Sequence, residues 1–132
     1  MAIAVNPNEK IRYILKGDRD LPVERQTVFL LKPLRAKDAA RMQDGAAEID
    51  IGKGRADSTM RIMSGTQTLE ALRSGLAGWE NFKNAQGEEV VWRENNGEPR
   101  PEMFDLIAAK DRRELAERII EGRDLPDESA KN

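Results

Sequence analysis

Histidine and cysteine are both absent from the 132 residues. Without cysteine there can be no disulfide and no thiolate metal site. Without histidine the commonest general base and the commonest transition-metal ligand are missing. Carboxylates and lysine remain, but ordinary hydrolytic chemistry loses its usual proton carrier, and the chain is expected not to be an enzyme. Aromatics are scarce at 5%, so aliphatic side chains must build most of the core, each contributing roughly 1.5–3 kcal/mol when fully buried. No apolar run approaches the ~18–20 residues that span a bilayer. The first residues lack the charged start and long apolar centre of a signal peptide. A soluble, intracellular protein is expected. Neither sign of charge dominates, with 22 basic residues against 24 acidic ones, and no basic stripe marks a nucleic-acid surface.

What is present suits one thin-cored domain. Apolar residues make up 39% and charged ones 35%, at a length near the common domain size. Residues 1–10 are small and turn-rich and read as a loose arm. Ile11-Arg12-Tyr13-Ile14-Leu15 reads as a strand, ended by Gly17 and Pro22. Gln26 to Lys32 is a second β-rich run, stopped by Pro33. The two are placed to pair as a long-looped antiparallel hairpin, with Thr27, Phe29 and Leu31 on one face and Val28 and Leu30 on the other. Leu34, Ala36, Ala39, Ala40 and Met42 among charges predict a short helix ending at Gly45, with an exposed charged face. Glu48-Ile49-Asp50-Ile51 alternates like a strand, but Gly52 and Gly54 follow at once, and 45–65 reads as a mobile loop.

The plainest helical signal runs from Thr66 to Trp79. Leu69, Leu72, Leu76 and Trp79 fall at i, i+3, i+7 and i+10, and Ser64 with Gln67 has capping-box spacing. Asn84-Ala85-Gln86-Gly87 predicts a turn with glycine at positive φ. Glu88 to Trp92 then reads as a strand, with Val90 and Trp92 facing one way and Val91 the other. "ENNGEPRP" reads as a loop, and Pro101 as the start of a helix carrying Met103, Phe104, Leu106 and Ile107. Asp111 is placed as N-cap of a last helix with Glu114 as its acidic partner. Leu115, Ala116, Ile119 and Ile120 would share one face of that helix, and Gly122 would end it. Residues 125–132 form a polar tail. The fold class is therefore α+β: an N-terminal antiparallel hairpin or small sheet with three to four amphipathic helices, in one domain over 11–124.

Chemical motifs are weak. "GKG" at 52–54 lacks the earlier glycine and the hydroxyl residue of a phosphate loop. Glu48 with Asp50, and Asp18 with Asp20, are acidic pairs without the convergent oxygen donors that a hard cation needs. Ser58, Ser64, Ser74 and Ser129 have no histidine to activate them and no Ser-x-x-Lys pattern in its place. Lys53, Arg55 and Arg61 are interleaved with Asp57 and have no aromatic neighbours for base stacking. No metal or cofactor is expected. The aromatics are the remaining feature: "GLAGWENFKNAQGEEVVW" (75–92) holds both tryptophans and one of three phenylalanines. Trp79, Phe82 and Trp92 either fasten a small core or form a partly open patch for a partner.

In order along the chain, "VFLLKPL" (28–34), "GLAGWENFKNAQGEEVVW", the helix "RRELAERIIEG" (112–122) and the ending "LPDESAKN" (125–132) resemble the tail assembly chaperones of long-tailed phages and prophages. The stretch 45–65 and the length of "WRENNGEPRP" depart from that pattern. The resemblance implies a non-enzymatic helper in the host bacterial cytoplasm, binding the helical tape measure protein and aiding tail tube polymerisation. Amphipathic seams carrying Leu69, Leu72, Leu76, Trp79, Phe82, Trp92, Leu115 and Ile119 are then the candidate partner contacts. No nucleic acid or membrane is implied, and homo-oligomerisation stays open. The alternative is a structural phage protein of the tail or head–tail junction.

Overall fold

The computed structural model describes residues 1–42 and 65–122. The expectations for 45–64, including "GKG", the Glu48–Ile51 strand and the Ser64 cap, lie outside the described residues, as does the tail at 125–132. Strands β1 (Ile11–Ile14) and β2 (Val28–Leu31) pair antiparallel, Tyr13 opposite Phe29 and Ile11 opposite Leu31. This is the expected long-looped hairpin. Its connection is built from two short 3-10 turns, Lys16–Asp18 and Val23–Arg25, held by side chains that satisfy the backbone. The Asp18 carboxylate accepts the Thr27 N–H at 3.2 Å, and the Gln26 amide donates to the Leu21 carbonyl at 3.1 Å.

A helical turn, α1, covers 36–42. The charged face expected there is incomplete, because Asp38 points inward and is only 5% exposed. Its carboxylate accepts the Ser74 hydroxyl at 2.9 Å and lies 3.6 Å from Arg73. Arg73 in turn pairs with Glu98 at 3.0 Å. A buried carboxylate needs such partners to offset its lost hydration, and here they tie α1 to the next helix and to the chain beyond it.

That next helix, α2, spans Gly65–Gly75 and stops four residues short of the expected end. Leu76–Glu80 is strand β3, paired antiparallel with β2 in a sheet of order β1-β2-β3. The periodic stripe misleads for a geometric reason. Trp79 lies opposite Phe29 and Leu76 opposite Leu31, so three steps on β3 match two on β2, the irregularity falling between Leu30 and Leu31. A bulged strand needs one extra residue to bring two side chains back to the same face. Leu76 and Trp79, spaced as on a helix, therefore share the core face of a sheet. Gly78, at φ 153°, absorbs the distortion in a backbone conformation that side chains disfavour.

Beyond β3 the chain turns at Asn84–Gly87 as expected, with Gly87 at φ 83° and its N–H on the Asn84 carbonyl at 2.9 Å. The strand expected at Glu88–Trp92 reduces to a single bridge between Lys83 and Glu89, joined by a Val90 N–H to Phe82 carbonyl bond of 2.8 Å. The expected loop "ENNGEPRP" is instead a tight hairpin of β4 (Glu94–Asn95) and β5 (Glu98–Pro99). Asn96 and Gly97 have φ of 54° and 82°, the pair of positive values that a type I′ hairpin turn requires.

Pro101 precedes the short helix α3 (Glu102–Asp105), and α4 runs Ala109–Gly122. Asp111 is not the cap: the N–H groups of Asp111 and Arg112 both bond the Ala108 carbonyl, so the helix starts earlier. Glu114, expected to face back to the cap, instead accepts the Tyr13 hydroxyl at 2.7 Å and the Lys16 N–H at 2.9 Å. Arg112 donates to the Phe104 and Ile107 carbonyls, closing the end of α3. Leu115, Ala116 and Ile119 are buried on one face of α4, as the periodicity predicts, and join Leu72, Leu76 and Phe29 in a single core. Gly75 lets α4 approach α2, since a Cβ there would collide with the Ile119 side chain.

Candidate partner-binding site

The aromatic residues of 75–92 gather with Phe29 into one cluster. Trp79 stands edge-on to Phe29, Phe82 and Trp92, with ring centroids 6.2, 4.7 and 4.9 Å away. Such geometry sets the positive ring edge against the negative face, contributing about 0.5–1.5 kcal/mol per pair beyond burial. The Trp79 indole N–H donates to the Val90 carbonyl at 2.8 Å, so its one polar atom is satisfied inside. That bond also draws the irregular 88–92 segment against β3.

Asn81 was not singled out from the sequence, yet it directs the chain here. It sits at φ 57°, a left-handed conformation that asparagine tolerates better than most residues. Its amide donates to the Glu24 and Gln26 carbonyls, both at 3.0 Å, and its own carbonyl accepts the Thr27 hydroxyl at 2.9 Å. The end of β3 is thereby fixed to the β1–β2 connection. Nothing local to Asn81 shows that its partners lie more than fifty residues away.

The eight residues expected at a partner surface divide into two groups. Leu72, Leu76, Trp79, Leu115 and Ile119 lie inside the core and present no surface in this fold. Leu69 is 44% exposed on α2, while Phe82 and Trp92 are half-buried at the edge of the cluster. Beside these two, Val90 is partly covered and Val91 is 61% exposed. The facing of Val90 and Trp92 inward and Val91 outward matches the alternation read from the sequence. The Trp92 indole N–H reaches only the exposed Glu94 carboxylate, at 2.9 Å. The cluster thus has a closed end at Trp79 and an open end at Trp92.

Two other groupings are structural in their contacts. Ser74 is buried against Asp38, an arrangement with a hydrogen-bond acceptor but no imidazole. Tyr13 has its pKa raised to about 12, by burial first and then by its hydrogen bond to Glu114 and that carboxylate's charge. Among the described residues no group of three or more carboxylates could hold a metal ion, and no helix is long and apolar enough to cross a membrane. No family model, curated protein or solved structure matches this chain.

Proposed function

We propose that this protein is a non-enzymatic assembly chaperone of a phage or prophage tail, acting in the host bacterial cytoplasm. Its clients would be the helical tape measure protein and, through assembly, the tail tube protein. One observation carries the reading: the segment behind the family resemblance folds into an aromatic cluster with an apolar open end at Phe82, Trp92 and Val91. A tryptophan held by a rigid core and half exposed is a common anchor of protein interfaces. An amphipathic client helix would lay its apolar side on such a rim, while the charged outer face of α4 keeps the pair dispersed.

Co-expression with the tape measure protein tests this directly. The client should become soluble, Trp92→Ala should reverse that effect while leaving the chaperone folded, and finished particles should contain none of it. Stoichiometric recovery in purified virions would overturn the reading. A second reading, a structural subunit of the tail or head–tail junction, is favoured by one feature. The exposed segment ahead of β1 carries Met1, Ile3 and Val5 and has the form of an inter-subunit arm. A fixed copy number in mature particles would decide for it.

A further inference from the structure

Two features of the N-terminal region are each incomplete. In the sheet order β1-β2-β3, strand β1 is an edge, and among the described residues nothing pairs with its outer side. Ahead of it, residues 1–5 read large-small-large-small-large, with Met1, Ile3 and Val5 separated by alanines. All five are exposed. That is the alternation of a strand with one apolar face. Five residues at about 3.4 Å each would run the length of β1. Arg12, the charge on β1 that would otherwise guard an open edge, is engaged by Glu80 at 2.8 Å across the sheet.

The turn between them decides where the segment can pair. The Glu9 N–H bonds the Asn6 carbonyl at 3.1 Å, closing a turn through Pro7 and Asn8, and the Asn6 side chain accepts the Asn8 N–H at 3.0 Å. Neither Pro7 nor Asn8 is among the residues with positive φ. The primed turns that match strand twist in a two-residue hairpin require positive φ, whereas the ordinary type splays the flanking strands. Folding back onto its own β1 is therefore disfavoured, and the segment projects away.

We infer that residues 1–5 add as a strand to the β1 edge of a second copy of this chain, each copy giving its segment to the other. Every chain carries one donor strand and one acceptor edge, so reciprocal exchange satisfies both and closes as a two-fold dimer. This pairing does not depend on the client proposed above.

Sedimentation velocity of the full chain, in a series reaching roughly 100 µM, reads the dimer as a concentration-dependent doubling of mass. The double substitution Ile3→Asp, Val5→Asp should weaken dimerisation at least about tenfold while leaving the circular dichroism and thermal midpoint of the dilute, monomeric chain unchanged, because both side chains are exposed there. The absence of native cysteine allows a second readout. An Ala4→Cys chain and an Arg12→Cys chain carrying different tags, mixed and oxidised, should form a linked heterodimer. A single-chain mass across the whole series overturns the inference, as does a dimer indifferent to the double substitution. A monomer whose segment is needed only for binding another protein overturns the choice of a second copy.

Discussion

Trp79 and Trp92 touch edge-on, 4.9 Å between ring centroids, yet they belong to different kinds of structure. Trp79 is 8% exposed on a hydrogen-bonded strand, backed by Phe29 and bonded through its indole N–H to a backbone carbonyl. Trp92 lies on a segment without ladder bonds, is half-buried, and bonds a surface carboxylate. The same residue type, thirteen positions apart, is a pillar in one place and a rim in the other. The difference lies in what surrounds each ring: the first sits inside the buried core, opposite Phe29 on β2, and the second packs against that core from its edge.

Four substitutions would break or sharpen that contrast. The largest effect is expected from Trp79→Ala, which removes the centre of the cluster and leaves a cavity. A loss of about 3–5 kcal/mol in urea unfolding is the usual scale, close to the whole stability of a modest domain. Gly75→Val comes next, because a branched side chain must displace Ile119 from α4. Overpacking of this kind costs about 1–3 kcal/mol and should appear as a lower thermal midpoint.

Trp92→Ala should cost less, about 1–2 kcal/mol, losing one edge-on pair and partial burial. Its signature, under the proposed function, is a protein that still folds but no longer keeps the tape measure protein soluble. If Trp92→Ala destabilised as much as Trp79→Ala, the open end of the cluster would be a pillar too. The smallest effect concerns Tyr13, outside the cluster. Its folded pKa lies near 12, above the ordinary 10.0, so the stability it contributes is complete below pH 10 and falls as pH rises towards 12. Tyr13→Phe should flatten the alkaline limb of a stability-against-pH curve over that window and lower its neutral plateau by about 0.5–1.5 kcal/mol, the net contribution of one hydrogen bond.

Legibility in the sequence followed the locality of the cause. The β1–β2 hairpin, the Asn84–Gly87 turn and the buried face of α4 each follow from residues close together in the chain. The Asn96-Gly97 hairpin is equally local: that dipeptide is a strong hairpin signal, but the polar residues around it have the composition of a loop. The α2–β3 boundary was not legible by periodicity. Leu72, Leu76 and Trp79 keep helical spacing, and the bulge that turns a three-residue step into one sheet face exists only once β2 lies alongside. Of the eight candidate contacts, the pattern identified apolar residues that matter, but it could not separate Trp79 and Leu115 from Trp92 and Leu69. Apolar periodicity marks a face that must be covered, not whether this chain or another covers it.

By itself, then, the sequence determined an α+β chain with a hairpin at the front, an amphipathic helix at the back, and no imidazole or thiol chemistry. These depend on side-chain type, turn residues and nearest neighbours. Only the tertiary structure decided that Leu76–Glu80 is a strand, that Asp38 turns inward to Ser74, and that Glu114 serves Tyr13 and Lys16 rather than its own helix end. Each is settled by a partner far along the chain, where backbone pairing or a buried charge outweighs the weak preference of a local pattern.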